Sequence, residues 1–339
     1  MNTIAAIEPQ TQRSRLTRNN YIFSDHLDQV FEEITNCRWH LDEPLRSAFD
    51  HHFKKSGKML RARLALRAGQ ASGLQLHSSV IWATSIELLH NASLVHDDVC
   101  DDDAERRGFT SVAEMYGKEV AICLGDAMIA LSSLLLAGDF TLQHTLRAHN
   151  LAIIKLSTGQ AAEFSSLSYP TWTIYEKLVE GKTTPLISLP VLGLNSINES
   201  CTETSRVTHY LSDASVAFQM MNDIQNINQG KQTATAASDL RELRPNAVIA
   251  NFYESLPELD KKLFSKSKAD RKFQLHDTRL EFWWEQILLS NSIETTKHLL
   301  SEKLGRSKRI LRSLNARNRD ILQPFDQWLR ESYSLLSSQ

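Results

Sequence analysis

Glycine and proline are scarce in this sequence of 339 residues, which holds 12 glycines and 8 prolines. Because these residues dominate tight turns, their scarcity disfavours a strand-rich fold and favours long helices. Cysteine is scarce too, and Cys37, Cys100, Cys123 and Cys201 lack the spacing of a disulfide framework or a metal site. Such scattered cysteines are typical of a reducing compartment, so we expect the protein to be cytoplasmic.

Neither sign of charge is in excess, because 38 Lys and Arg residues oppose 40 Asp and Glu residues. That balance provides no basic field, so we do not expect nucleic acid as a partner. No run of about 18 apolar residues occurs, and we expect no integral membrane segment. The N-terminal residues are polar and basic, without the apolar core of a signal peptide.

Helical periodicity is what the sequence does contain, with apolar residues recurring at spacings of three and four. It predicts an all-α protein, with a flexible tail over residues 1–24 and one helical domain over residues 25–339. The predicted helices include Asp25–Phe53, Met59–Ala71, Ser78–Val95, Ser111–Ala137, Leu142–Ser168, Tyr175–Leu194, Ser205–Asn228 and Asp239–Glu254.

The most informative segment ends an apolar helix with clustered carboxylates followed by two arginines. Asp97 and Asp101 are four residues apart, so on a helix they stack on one face, one turn apart. Mg²⁺ is commonly held by one or two carboxylates together with substrate phosphates. Arg106 and Arg107 carry planar guanidinium groups that suit phosphate oxygens. The combination indicates a substrate with an apolar tail and a diphosphate.

Other segments repeat this theme of anion and cation binding. Gly57 begins a helix whose Lys58 and Arg61 are three apart, which suits close approach of an anion. Gly159 interrupts a helix at a cost of roughly 1 kcal/mol, which predicts close packing or close ligand approach. Lys182-Thr183 offers a charge and a hydroxyl, but the upstream glycine of a P-loop is missing.

Together these segments resemble the trans-isoprenyl diphosphate synthases, or polyprenyl synthetases, in the family's order from about Arg46 to Pro245. Asp97-Asp98-Val99-Cys100-Asp101 resembles the first aspartate-rich motif, and Gly57-Lys58-Met59-Leu60-Arg61 resembles the glycine-lysine-arginine motif. Further matches to family positions are Gly125-Asp126-Ala127, Gly159-Gln160 and Lys182-Thr183. The resemblance implies a single large helical bundle around a central elongated cavity, and a homodimer.

The same resemblance implies a Mg²⁺-dependent prenyltransferase that condenses an allylic diphosphate with isopentenyl diphosphate into a longer trans-polyprenyl diphosphate. Its metal ligands would be Asp97, Asp101, Asn222 and Asp223, with Asp98 in support. The allylic diphosphate would be bound by Arg106, Lys182 and Gln219, with Thr183 near the reacting carbons. Isopentenyl diphosphate would be bound by Gly57, Lys58, Arg61, His90 and Arg107. Ala92, about 7.5 Å along the helix from Asp97, would leave room for a long product.

The second aspartate-rich motif departs from the family, because Asn222 and Asn226 stand where aspartates are usual. Asparagine can ligate a metal through its carbonyl oxygen but lacks the charge. This departure keeps two alternatives open. One is a class I terpene cyclase, or a prenyltransferase to another acceptor, on the same scaffold. The other is a non-catalytic subunit of a heteromeric synthase.

Overall fold

The computed structural model describes residues 26–55, 57–165, 168–194, 200–233, 236–269 and 278–337. Helices dominate these residues, which confirms the all-α prediction. The chain divides into two compact units, Met1–Leu146 (unit 1) and Arg147–Gln339 (unit 2). The tail expected over residues 1–24 lies outside the described residues, and the single domain expected over residues 25–339 stays a prediction.

Unit 1 is built from six helices joined by short connections. Its first helix, α1, covers residues 26–37, and a single 3-10 turn follows it at Arg38–His40. The others are α2 Leu45–His52, α3 Leu60–Ala71, α4 Leu76–Cys100, α5 Val112–Tyr116 and α6 Lys118–Gly138. A two-stranded antiparallel ribbon, β1 Glu105–Arg106 and β2 Phe109–Thr110, follows α4.

Two predicted helices of unit 1 are split by residues that cannot continue them. The helix predicted over Asp25–Phe53 is interrupted at residues 38–44, where a 3-10 turn leads into an extended Leu41 and Pro44 then precedes α2. The helix predicted over Ser111–Ala137 breaks at Gly117, whose φ of 93° is incompatible with a right-handed helix. Periodicity alone does not register such short interruptions.

The core of unit 1 is the packing of α4 against α6. Both are strongly apolar, and side chains such as Trp82, Leu88 and Leu124 are fully buried. Among the described helices, α6 alone has the length and apolar composition to cross a membrane, with a mean hydropathy of 2.1 in its most apolar window. Buried core helices of soluble proteins meet the same criterion, so this finding is weak evidence for a membrane span.

Unit 2 has ten described helices, several of which pack on the long α10. These are α7 Leu146–Ser165, α8 Trp172–Lys182, α9 Thr184–Leu192, α10 Cys201–Thr233, α11 Ser238–Arg241, α12 Ala247–Ser255, α13 Glu258–Ala269, α14 Thr278–Leu289, α15 Ser292–Ser313 and α16 Ala316–Ser337. The helix predicted over Asp239–Glu254 is two helices, because Pro245 lies between α11 and α12. Asn246 then begins α12 by accepting hydrogen bonds from Val248 N and Ile249 N.

Candidate functional site

The carboxylates of the first acidic motif lie at the C-terminal end of α4. Asp97 is in the last turn, and Asp101 is the C-cap, its N–H donating to Asp97 O at 2.8 Å. Both side chains are half-buried. Negative charge at a helix C-terminus is unfavourable, because the helix dipole places a partial negative charge there. A bound divalent cation would relieve this repulsion, so the local electrostatics fit a metal site.

Buried Asp98 forms an ion pair with half-buried Arg106 beside these carboxylates. Arg106 Nε donates to Asp98 Oδ1 at 2.7 Å, and its guanidinium also contacts Asp103. Asp98 is 1% exposed, and burial raises the pKa of its carboxyl despite the hydrogen bond from Arg106. Asp98 Oδ2 is buried and has no hydrogen-bond partner among the described residues. Arg106, predicted to bind diphosphate, is thus held against the acidic motif.

Arg107 turns in the opposite direction, towards the start of α3. Its φ of 57° is in the left-handed region and lies in the tight turn of the ribbon, next to Gly108. Its guanidinium donates to Lys55 O at 3.0 Å and to Asn91 Oδ1 at 3.3 Å. A Cβ on Gly57 would lie 3.0 Å from Arg107 Nη2, which explains the small residue there.

Arg61, His90 and Arg107 together form the cationic cluster. Arg61 Nη1 lies 3.1 Å from His90 Nε2. A guanidinium only donates, so His90 Nε2 accepts and the proton of the neutral ring is on Nδ1. Burial lowers the pKa of His90 well below its usual value, and the two arginines lower it further. His90 is therefore neutral at physiological pH.

Two donors of this cluster have no partner within the part of the chain that the structure describes. Arg61 Nε and His90 Nδ1 are buried and have no hydrogen-bond partner among the described residues. Leaving such a donor unsatisfied costs about 1–3 kcal/mol, and more when the group is charged. The oxygens of an anionic ligand are acceptors for such donors, so the donor chemistry of the cluster fits an anion site.

Sequence reasoning missed the residues that hold the cationic cluster in place. Glu87 is buried and accepts from Ala62 N at 2.9 Å, which fixes the start of α3 beside Arg61. Asn91 Oδ1 accepts from His52 as well as from Arg107, and burial lowers the pKa of His52 to about 4. The sequence does contain a signal for Glu87 and Asn91, because their spacing places them on the same face of a helix as His90.

The remaining predicted residues of unit 1 are placed differently. Lys58 is exposed, and its backbone carbonyl accepts from Arg63 Nε at 3.4 Å. Ala92 and Leu88 are fully buried within α4, and Leu89 is 2% exposed. Gly125 on α6 lies against His96, whose Nε2 would be 2.1 Å from an added Cβ. A small residue at position 125 therefore lets α6 approach the end of α4 that carries the acidic motif.

Gly159 of unit 2 allows close contact between α7 and the end of α8. A Cβ at Gly159 would lie 2.6 Å from Gly181 C and 2.9 Å from Lys182 N. The close packing predicted for this mid-helix glycine is confirmed. Lys182 Nζ lies 3.2 Å from Glu163 Oε2, one turn further along α7. Thr183, half-buried, is the residue between α8 and α9.

Asp223, in the second acidic motif, is at the centre of a buried hydrogen-bond network. Its carboxylate accepts from Tyr175 Oη at 2.6 Å, from Ala247 N at 2.7 Å and from Gln219 Nε2 at 2.8 Å. Burial, and next the charge of Asp239, raises the pKa of Asp223 to about 7. The network links α8, α10 and the start of α12 within unit 2.

The two asparagines of this motif differ in their surroundings. Asn222 is exposed. Asn226 donates to Ser238 Oγ at 2.7 Å and accepts from Asp239 N at 3.4 Å, which holds the start of α11. An aspartate at position 226 has no N–H, so the hydrogen bond that Asn226 donates to Ser238 depends on the amide.

The donor chemistry of the predicted metal ligands differs between the units. No group of three or more His, Cys, Asp or Glu side chains in the described part of the chain is arranged to hold a metal ion. Mg²⁺ does not require such a cage, because waters and substrate phosphates complete its octahedral shell. The half-buried pair Asp97 and Asp101 fits that mode. The carboxylate oxygens of Asp223 accept three hydrogen bonds, which occupy lone pairs that a metal ion would need.

Known proteins similar to this chain share one family. A family model described as polyprenyl synthetase matches residues 42–277. A short chain isoprenyl diphosphate synthase of Methanocaldococcus jannaschii is 26% identical over 252 residues, which cover 71% of this chain and 76% of that protein. A (2E,6E)-farnesyl diphosphate synthase of Mycobacterium tuberculosis is 29% identical over 264 residues, covering 72% and 73%.

Solved structures show the same fold. The geranylgeranyl pyrophosphate synthetase of Pyrococcus horikoshii superimposes with a TM-score of 0.75 at 24% identity, covering 92% of this chain and 98% of that one. A decaprenyl diphosphate synthase of Rhodobacter capsulatus gives a TM-score of 0.77 at 20% identity, covering 94% and 99%. The all-helical fold of this chain is therefore that of the isoprenyl diphosphate synthases.

Proposed function

Because this chain belongs to the polyprenyl synthetase family and is a prenyltransferase, we propose that it condenses an allylic diphosphate with isopentenyl diphosphate. The product would be a longer trans-polyprenyl diphosphate. The single observation that carries the proposal is the cationic cluster of Arg61, His90 and Arg107. Its buried, unsatisfied donors suit the diphosphate of the acceptor substrate. A cyclase, which uses no isopentenyl diphosphate, has no need of this cluster.

The acidic end of α4 would serve the other substrate. We propose that Asp97 and Asp101 hold Mg²⁺, with Asp98 fixing Arg106 beside them. Magnesium bound there would neutralise charge on the departing pyrophosphate. Arg106 would donate to the same diphosphate, and binding by Lys182 and Gln219 stays a prediction from the sequence. The ion pair with Asp98 fixes the position of the Arg106 guanidinium beside the acidic motif.

The chemistry then needs position and charge rather than a side-chain nucleophile. The carbon–oxygen bond of the allylic diphosphate breaks, and pyrophosphate leaves with the electron pair. The double bond of isopentenyl diphosphate attacks the allylic carbon, forming the new carbon–carbon bond. Loss of one proton, to pyrophosphate, restores a double bond. Thr183 would lie near the reacting carbons, and the neutral His90 would donate its Nδ1 proton in a hydrogen bond to diphosphate.

Other features of the reaction stay predictions from the sequence. Asn222 and Asp223 remain predicted metal ligands, and the contacts of Asp223 favour a positioning role for it. The small side chain of Ala92 predicts a longer product than in relatives with an aromatic residue at this position. We also expect a homodimer, to be checked by size-exclusion chromatography with light scattering, and a cytoplasmic location.

Replacing Arg107 by methionine is expected to raise KM for isopentenyl diphosphate about 10- to 100-fold, since one charge-assisted contact contributes about 1.5–3 kcal/mol. KM for the allylic diphosphate should change much less. Steady-state kinetics with each substrate varied in turn measures both constants. A thermal melt establishes that the variant is folded.

Arg63→Met is the matched control, because it removes the same charge from an exposed position on α3. It should alter neither KM by more than about twofold. If Arg107→Met and Arg63→Met gave equal KM values for isopentenyl diphosphate, the cationic cluster would not be the acceptor site.

A second candidate function is favoured by Asn222 and Asn226, whose amides remove two charges from the second motif. A cyclase, or a transferase to another acceptor, would consume the allylic diphosphate without isopentenyl diphosphate. Incubation with Mg²⁺ and geranyl or farnesyl diphosphate, followed by mass spectrometry, separates the two. Hydrocarbons or alcohols formed without isopentenyl diphosphate support this alternative.

A further inference from the structure

The connection between α15 and α16 is the most basic part of the chain. Residues 303–319 contain seven lysines and arginines and no aspartate or glutamate, whereas the whole chain has a net charge of −2. The segment covers the second half of α15 and the first turn of α16. Such a local excess of one sign in a nearly neutral chain requires either paired acids or an anionic partner.

Two of these cations are used within unit 2. Lys303 Nζ lies 2.7 Å from Glu176 Oε1 on α8. Arg306 Nε donates to Asp213 Oδ2 on α10 at 2.5 Å. These pairs hold α15 against its neighbours and account for the basic residues nearest the middle of the helix.

Three others line a cleft of about 720 Å³ between α15 and α16. They are Lys308, Arg312 and Arg319, all exposed, and no carboxylate of the described residues pairs with them. Arg319 Nη2 donates instead to Leu314 O at 2.7 Å and to Arg312 O at 3.4 Å, at the C-terminal end of α15. Its charge is therefore held in place without being neutralised by an acid.

The acids of the cleft do not compensate these cations. Asp326 makes a two-point pair with Arg330, at 2.7 Å to Nε and 2.8 Å to Nη2. Glu331 accepts from Gln327 Nε2 at 2.8 Å. Positive charge therefore remains in excess along the cleft wall nearest the α15–α16 connection.

The other end of the cleft carries an exposed leucine. Leu335, on the last turn of α16, is 69% exposed, whereas Leu311, beside Arg312 at the cationic end, is buried. Arg319 and Leu335 are 16 residues apart, about 24 Å along a helix. A face with cations at one end and an exposed leucine at the other matches the polar–apolar boundary of a lipid surface.

We propose that the α15–α16 cleft docks the protein on a bilayer of anionic phospholipids, with lipid phosphates against Lys308, Arg312 and Arg319. The exposed leucine favours lipid over nucleic acid, which offers no apolar layer. Peripheral docking would bring a prenyltransferase to the lipid bilayer, which takes up an apolar product. The residues of the cleft are not among the proposed substrate ligands, and vesicle binding needs no turnover, so the docking and the proposed function can fail independently.

Flotation of the full chain with vesicles tests the docking. The protein is expected to bind phosphatidylcholine vesicles that contain phosphatidylglycerol, and not pure phosphatidylcholine vesicles. Each cation near an anionic surface contributes about fivefold in binding, so Lys308→Gln/Arg312→Gln should weaken it roughly 25-fold. Leu335→Gln should weaken it further, and added salt should weaken wild-type binding.

Lys262→Gln/Lys266→Gln is the matched control, because it removes the same charge from exposed positions on α13. It should weaken vesicle binding by less than about twofold. Thermal melts and turnover without vesicles should be unchanged in both double variants. Equal binding by the two double variants, or no wild-type binding to anionic vesicles, overturns the proposal. Displacement of the protein from vesicles by millimolar inorganic phosphate at constant ionic strength would also overturn the proposal. Binding of an oligonucleotide in place of vesicles would do the same.

Discussion

Replacing Asp97 by asparagine is expected to lower kcat by about 100- to 1,000-fold, the usual loss when one electrostatic contact to a developing charge is removed. Asparagine keeps the size of the side chain and a carbonyl oxygen, but the charge that would attract Mg²⁺ to the end of α4 is lost. The fold should be retained, because a carboxylate at a helix C-terminus interacts unfavourably with the helix dipole and its removal does not destabilise α4. Release of pyrophosphate in single-turnover experiments measures the effect at the ionisation step.

Asp102→Asn is its matched control within the same acidic run. Asp102 is exposed, pairs with Lys118 and has a φ of 54°, a conformation that asparagine tolerates well. Its kcat should stay within about twofold of the wild-type value. Equal and small effects of the two substitutions would remove Asp97 from the proposed metal site.

Gly159→Ala is expected to give the largest loss of stability. Its Cβ would lie 2.6 Å from Gly181 C, and backbone atoms cannot rotate away as the tip of a side chain can. Overpacking of this kind costs about 1–3 kcal/mol in the free energy of unfolding. Tm should fall by about 2–4 °C for each kcal/mol in a unit of this size. Because Lys182 N is displaced too, KM for the allylic diphosphate should rise, as steady-state kinetics would detect.

Gly305→Ala provides the comparison in the same unit. Gly305 is also inside a helix, α15, but the nearest atom to its added Cβ is Arg309 Nη1 at 3.7 Å. Alanine has the better helix propensity, so this variant should gain up to about 1 kcal/mol in the free energy of unfolding. A Gly159→Ala variant as stable as Gly305→Ala would mean that α7 and α8 do not need the close contact.

Features set by short-range spacing are the ones that the sequence predicts well. The stacking of Asp97 and Asp101 follows from the helical repeat, and the structure places them one turn apart at the end of α4. The helix predicted at Met59–Ala71 is found as Leu60–Ala71, because its apolar periodicity is uninterrupted. Gly159 in mid-helix predicts a close approach, which the neighbouring Gly181 backbone provides.

Features that depend on distant partners are not predictable in this way. Tyr175 and Ala247 both bind Asp223, yet they are 48 and 24 residues away from it in sequence. No spacing rule connects them, so the second motif suggests a metal site without revealing its buried network. The ribbon of β1 and β2 is two residues per strand, too short for any alternation to register.

Transfer of labelled carbon from isopentenyl diphosphate tests the central claim most directly. Purified protein, Mg²⁺, farnesyl diphosphate and ¹³C-labelled isopentenyl diphosphate are incubated, and the diphosphates are analysed by mass spectrometry. We expect every lengthened product to carry one labelled five-carbon unit for each step of elongation. Consumption of farnesyl diphosphate while all of the label stays in isopentenyl diphosphate would contradict the account.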